Sequence, residues 1–186
     1  MVKRTFLQID LQNLFYEARR REEKIDFEKI WDSINSREGE FLTEAIVYLI
    51  RSQDFESDKF ETKLQKWGYK IQAKNTHRVL MDTCPTCKTE FKMDQPFYKQ
   101  TNLDVEITVD CINRINSYDK WILMSGDGDF AYPCRYLKQM GKTVEIWSFK
   151  ECYNSSLDPD KITFISDDFF YKKPKVNVFG FKWGPL

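Results

Sequence analysis

The stretch from Trp121 to Phe130 limits what this chain can fold into more than any other. Trp121-Ile122-Leu123-Met124 is a short apolar run, and Ser125-Gly126-Asp127-Gly128-Asp129-Phe130 follows it directly, before a new amphipathic segment begins. The pattern predicts a buried strand whose carboxyl end opens through a tight turn into a helix. In an open α/β sheet, the mouth at the carboxyl ends of the strands is where sites form. Two carboxylates placed there are costly to keep charged unless water or a cation offsets their repulsion. The chain therefore reads as a frame for an acidic, metal-binding site.

The rest of the sequence supplies a matching rhythm. Thr5 to Ile9 is a short β-type run ending at Asp10, and Leu11, Leu14, Phe15 and Ala18 then repeat at helical spacing, with Glu17 and Arg19 to Arg21 left for the wet face. Asp26 to Ser36 reads as a second helix with Asp26 as its N-cap. A strand over 41–50 and a helix over 57–67 follow, the helix closed by Gly68, and then a third strand over 69–73. Leu103 to Ile115 is a fourth helix and 120–124 the fourth strand; a helix reaching Met140, a strand over 142–147, a loop with a short helical turn over 149–161 and a brief strand over 162–165 complete the order. Strand–helix alternation of this kind predicts an α/β fold with a parallel sheet. We expect one domain over residues 1–186, with an insertion at 75–99 that holds a β-hairpin near 77–93, and an aromatic and basic tail at 171–186.

Charge narrows the function. Lysine and arginine balance aspartate and glutamate at 29 each, so sheer basicity does not hold nucleic acid here and any polyanion must meet a local patch. Asp10 interrupts the amino-terminal apolar run too early for a signal peptide, and no stretch approaches a membrane span. Five cysteines without a secretory signal predict free thiols and a cytoplasmic location, with no membrane partner.

Four carboxylates and one carboxamide carry the chemistry. Asp10 ends the first strand, and Asn13 falls on the same side of the following helix's first turn; alone, either residue reads as a helix cap. Asp104 opens the fourth helix, where capping is again the bland reading, but it also leads the apolar stripe through Ile107 and Cys111. Asp110 lies off that stripe and is expected behind the site or in solvent. If the fourth strand lies beside the first, Asp10, Asp104, Asp127 and Asp129 share one mouth. Such a group raises its own pKa values and is resolved by a hard divalent cation, Mg²⁺ or Mn²⁺, with oxygen ligands.

A second metal is a separate question. Cys84-Pro85-Thr86-Cys87 is half of a zinc knuckle, with His77 as a third ligand for a structural Zn²⁺. The fourth would come from Cys111, Cys134, Cys152 or another subunit. The competing reading is a plain turn bearing two thiols.

The pattern Asp10-x-x-Asn13, a helix-opening Asp104 with Asp110 behind it, and Ser125-Gly126-Asp127-Gly128-Asp129-Phe130 resembles the NYN domain, the LabA-like branch of the PIN-like ribonuclease superfamily. Gly141-Lys142-Thr143-Val144, Ser155-Ser156-Leu157 and Asp168-Phe169 extend the likeness from residue 5 to about 171. The resemblance implies a Rossmann-like three-layer fold with strand order 3-2-1-4-5, and Mg²⁺- or Mn²⁺-dependent cleavage of RNA. It implies Asp10, Asp104 and Asp127 as metal-binding acids, Asp129 as a fourth acid or water-positioning group, Asn13 as a group orienting the substrate or an acid, and Ser125 as a supporting hydroxyl near substrate. Asn102-Leu103 stands where relatives often carry Lys-Gly, with Lys99 as a substitute, and Gly128 stands where Ser or Thr is usual.

The resulting expectation is an endoribonuclease that meets phosphates with Lys99, Arg78 and Lys74 and stacks unpaired bases on Phe170, Tyr171 or Trp183. A catalytically weak RNA-binding or protein-docking module of the same fold is the alternative, and a metal-dependent phosphatase a further one. The tail's aromatics equally suit packing on the parent domain or on a second copy, as in a homodimer.

Overall fold

Along Lys3–Asp10, strand β1, alternate side chains enter two different cores, and this alternation sets the layering. The computed structural model describes residues 2–51, 57–75 and 102–171. Strand β1 is followed by α1 (Leu11–Arg20), α2 (Phe27–Asn35), β2 (Glu40–Arg51), α3 (Ser57–Lys66), β3 (Lys70–Asn75), α4 (Asp104–Asn113), β4 (Lys120–Met124), α5 (Ala131–Gln139), β5 (Thr143–Ser148) and β6 (Lys161–Phe164). Short 3-10 turns at Gly128–Phe130, Ser155–Leu157 and Asp167–Phe169 shape the connections.

Six strands form one parallel sheet in the order β3-β2-β1-β4-β5-β6. The expected 3-2-1-4-5 order is present, with β6 added outside β5. Leu7 and Ile9 of β1 and Ile122 and Met124 of β4 enter the core beneath α1 and α2, with Leu14, Ala18, Ile30 and Ile34. Phe6, Trp121, Leu123, Val144 and Ile146 enter the opposite core, with Ile107 and Cys111 of α4 and Cys134 and Leu137 of α5. Both faces are therefore buried, as a parallel sheet requires. The chain order reverses between β1 and β4, leaving a crevice at their carboxyl ends.

Several side chains lie elsewhere than expected. Glu17 is buried, because Arg20 and Arg21 bond its carboxylate from the next turn (2.6 and 3.1 Å) and the Cys152 thiol approaches it. Phe15 leaves the apolar stripe and is partly exposed. Phe170 is buried and stacks on Phe149, so its ring packs on the parent fold instead of meeting a base, whereas Tyr171, whose hydroxyl accepts from Lys63, stays partly exposed. Cys111 and Cys134 are wholly buried in the core. The hairpin near 77–93, the zinc residues His77, Cys84 and Cys87, the phosphate contacts Arg78 and Lys99, and Trp183 lie outside the described residues.

At the amino ends of the strands the fold buries an ionic cluster that no sequence pattern announces. Glu145 of β5 is fully buried and accepts from both Arg37 guanidinium nitrogens (2.9 and 3.0 Å), from Lys120 at 2.5 Å, and from Trp147 and Thr163. Burial pushes its proton affinity up, but Arg37, Lys120 and Thr163 outweigh burial and hold it well below the ordinary carboxylate range. Removing one member of such a set leaves its partners buried and uncompensated. Glu145→Ala should lower unfolding free energy by about 3–5 kcal/mol in urea titrations.

Candidate metal centre

Asp10 closes β1 and caps α1 in one residue. Its Oδ1 accepts from the Asn13 amide at 3.3 Å, which is the expected cap. The other oxygen takes a bond from the Ser125 hydroxyl at 3.0 Å, just past the end of β4. Ser125 Oγ in turn accepts from the Asp127 amide at 3.2 Å, and the Asp129 amide donates to Asp127 Oδ1 at 3.0 Å. The Gly126 amide donates to Asn13 Oδ1 at 3.0 Å, tying α1 to the turn after β4. Asn13 thus orients the acid-bearing turn.

Leu103 is the N-cap of α4 and makes no side-chain cap bond, while Asp104 stands in the first turn, where a carboxylate suits the helix dipole. The Asp104 carboxylate accepts from the Asn102 side-chain amide at 2.5 Å. One carboxylate oxygen each from Asp104, Asp127 and Asp129 lies within 4.8 Å of the others. These acids line a cleft of about 310 Å³ together with Asp10, Asn13, Asn102, Gln12 and Tyr16. Burial pushes the Asp10 carboxyl up to about 6; the Asn13 amide and Ser125 hydroxyl oppose this, while Asp104 and Asp127 add to it. Asp104 is also raised, by burial first and then by Asp127, Asp129 and Glu106.

The donor chemistry fits a hard cation. Three carboxylates converge, and the lysine beside them, Lys74, is engaged by Glu106 and the Asn102 carbonyl. Lys74 therefore offers less to a phosphate than its sequence position suggests. Oxygen-only sites of this kind suit Mg²⁺ or Mn²⁺.

Two glycines let the turn exist. A Cβ on Gly126 would lie 2.2 Å from the Cys152 carbonyl oxygen and 2.4 Å from Ser148 Oγ, so the backbone of the loop after β5 presses directly on it. At Gly128 the neighbour is softer: a Cβ would meet the Asn154 side-chain nitrogen at 2.5 Å. The space above Gly128 is filled by Asn154, whose own amide donates to the Gly126 carbonyl at 3.0 Å.

Of the residues singled out in the sequence, Asp10, Asn13, Asp104, Asp127 and Asp129 meet in this cleft. Ser125 is fully buried, so its hydroxyl holds acids and does not face substrate. Asp110 points away, bonded to the Tyr48 hydroxyl and Arg114 (2.7 and 2.6 Å). Gln12, Tyr16 and Asn102 line the cleft without having been anticipated. Gln12 and Tyr16 carry a faint signal, being four apart on the helix that Asp10 caps.

The NYN domain family model matches residues 4–170, nearly the whole described chain. The chain belongs to the NYN domain family. This is the LabA-like branch of the PIN-like ribonuclease superfamily. It is 25% identical over 130 residues to the low amplitude and bright protein LabA of Synechococcus elongatus, covering 70% of this chain and 65% of that protein. The match thus spans just under two thirds of the relative. A crystal structure of a Vibrio parahaemolyticus protein of unknown function superposes with a TM-score of 0.70 at 24% identity, over 91% of this chain and 96% of that one, and supports the fold.

Two outcomes follow for this NYN domain. The metal-free folded chain keeps a proton on Asp10 up to about pH 6, whereas the unfolded chain releases it near 3.8. The folded state therefore binds more protons between these values, and stability falls as pH rises through that window. Asp10→Asn removes the loss: the metal-free variant should gain up to about 3 kcal/mol, a rise of several degrees in Tm, at pH 7.5 and nothing at pH 3.5. Thermal unfolding at the two pH values checks this. Gly126→Ala should cost about 2–3 kcal/mol through overpacking against backbone, whereas Gly128→Ala should cost less, because the Asn154 side chain can swing away; urea unfolding of both variants distinguishes them.

Proposed function

We propose that this NYN domain is a Mg²⁺- or Mn²⁺-dependent endoribonuclease that cuts single-stranded RNA. The convergence of Asp104, Asp127 and Asp129 at the reversal point of the sheet carries the reading, and membership of a branch of the PIN-like ribonuclease superfamily supports it. A cation held there supplies Lewis-acid stabilisation of charge developing on a phosphodiester during in-line attack by water.

The protein's own groups have distinct parts. Asp104, Asp127 and Asp129 hold the cation, and the Ser125 hydroxyl and Asp129 amide fix the turn that presents Asp127. Asp10, drawn back on Ser125 and Asn13 and raised in proton affinity by burial, aligns the attacking water and takes up its proton. Asn13 keeps α1 and the acidic turn in register. Lys99 and Arg78 are the phosphate contacts of this reading.

Single-turnover cleavage of a generic single-stranded RNA in Mn²⁺ tests it. Wild type should cleave, EDTA should stop the reaction, and Asp127→Asn should be slower by about 100-fold or more. Equal rates for wild type and Asp127→Asn would mean a contaminating nuclease and a module that only binds. Hydrolysis of a simple phosphomonoester with indifference to RNA would make it a phosphatase.

A further inference from the structure

The cleft wall carries Asp10, Asp104, Asp127 and Asp129 and, among the described residues, no lysine or arginine. A strand of RNA entering it meets no attraction from the wall's own charges. Among the described residues of the wall, the contacts left for it are the cation and uncharged side chains. One of these is large. Tyr16 of α1 lines the cleft with 60% of its surface exposed, and no hydrogen-bond, ring or cation partner approaches it among the described residues.

Exposed tyrosines are ordinary on protein surfaces, so exposure alone assigns nothing. Placement does. Asp10 caps α1, Asn13 ties the helix to the acidic turn, and Tyr16 lies one turn beyond Asn13 on the same side. Gln12, four residues before Tyr16, also lines the cleft and likewise has no side-chain partner among the described residues. Helical rise puts Tyr16 about 9 Å along the axis from Asp10. That distance suits the base of a nucleotide next to the bond being cut, not the phosphate at the acids.

We infer that the Tyr16 ring is the stacking platform for an unpaired base flanking the scissile phosphate, with the Gln12 amide facing the edge of that nucleotide. The inference rests on the ribonuclease reading and deepens it: the platform demands a base splayed out of any duplex. Stacking on an aromatic ring is tolerant of sequence, because every base has a π-face. The site would thus select for single-strandedness and little for base identity.

The test uses the full chain and a single-stranded oligoribonucleotide whose cleavage position has been mapped with wild type. Tyr16→Ala should raise KM by about tenfold or more and change kcat by less than about threefold, while Tyr16→Phe, which keeps the ring, should stay within about twofold of wild type. An RNA with an abasic nucleotide at the flanking position should lose the same factor with wild type and be indifferent to Tyr16→Ala. Unchanged KM in Tyr16→Ala, with wild type cleaving normally, overturns the platform and leaves the ribonuclease standing. A Tyr16→Phe variant as poor as Tyr16→Ala overturns it too, since the hydroxyl and not the ring face would then matter. Should wild type fail to cleave, anisotropy of the labelled RNA separates the two ideas. Tighter binding by wild type than by Tyr16→Ala keeps the platform and removes the chemistry, whereas equal or absent binding removes both.

Discussion

One buried hydroxyl joins the two halves of this structure. Ser125 donates to Asp10 at the end of β1 and accepts from the Asp127 amide after β4. It does so only because β1 and β4 are parallel neighbours, with Ile9 opposite Met124. That pairing brings the two strand ends level, so the residue following each strand begins the same cleft. Asn13 adds a second tie by accepting from Gly126. The acids are consequently presented by the ends of rigid elements, and side-chain rotamer choice has little left to decide.

Burial of carboxylates at the two ends of the sheet has opposite consequences. Glu145 is fully buried at the amino end and stays charged, because Arg37 and Lys120 reach it. Asp10 is almost as buried at the carboxyl end, and there the neighbouring charges are Asp104 and Asp127. The same desolvation is compensated in one place and left open in the other. The acidic cleft has the oxygen donors that suit a divalent cation, whereas the compensated cluster fastens the strands at their other end.

The turn between β4 and α5 shows why small residues sit beside the acids. The loop after β5 comes within contact of Gly126, so the positions of Asp127 and Asp129 depend on a segment more than twenty residues further along the chain. Asn154 both anchors that loop, by donating to the Gly126 carbonyl, and fills the space over Gly128. Gly128, standing where relatives usually carry Ser or Thr, is packed beneath the Asn154 side chain.

Local order determined most of the architecture. Apolar runs of strand length alternating with amphipathic segments, Asp26 and Asp10 at cap positions, and Gly68 after α3 each express a short-range preference that neighbours along the chain suffice to reveal. The acids at strand ends were legible for the same reason, since a strand that stops at Asp10 or before Ser125 declares its own end. Distance across the fold decided the rest. Whether Glu17 is wet or buried depends on Arg20 and Arg21 folding back over it, and whether Phe170 meets solvent depends on Phe149. Ser125 turned out to face Asp10, and Tyr16 and Gln12 to share a cleft with Asp104 and Asp127, through the packing of segments about a hundred residues apart. Periodicity reports which side of an element is apolar; only the packed chain says what stands opposite that side.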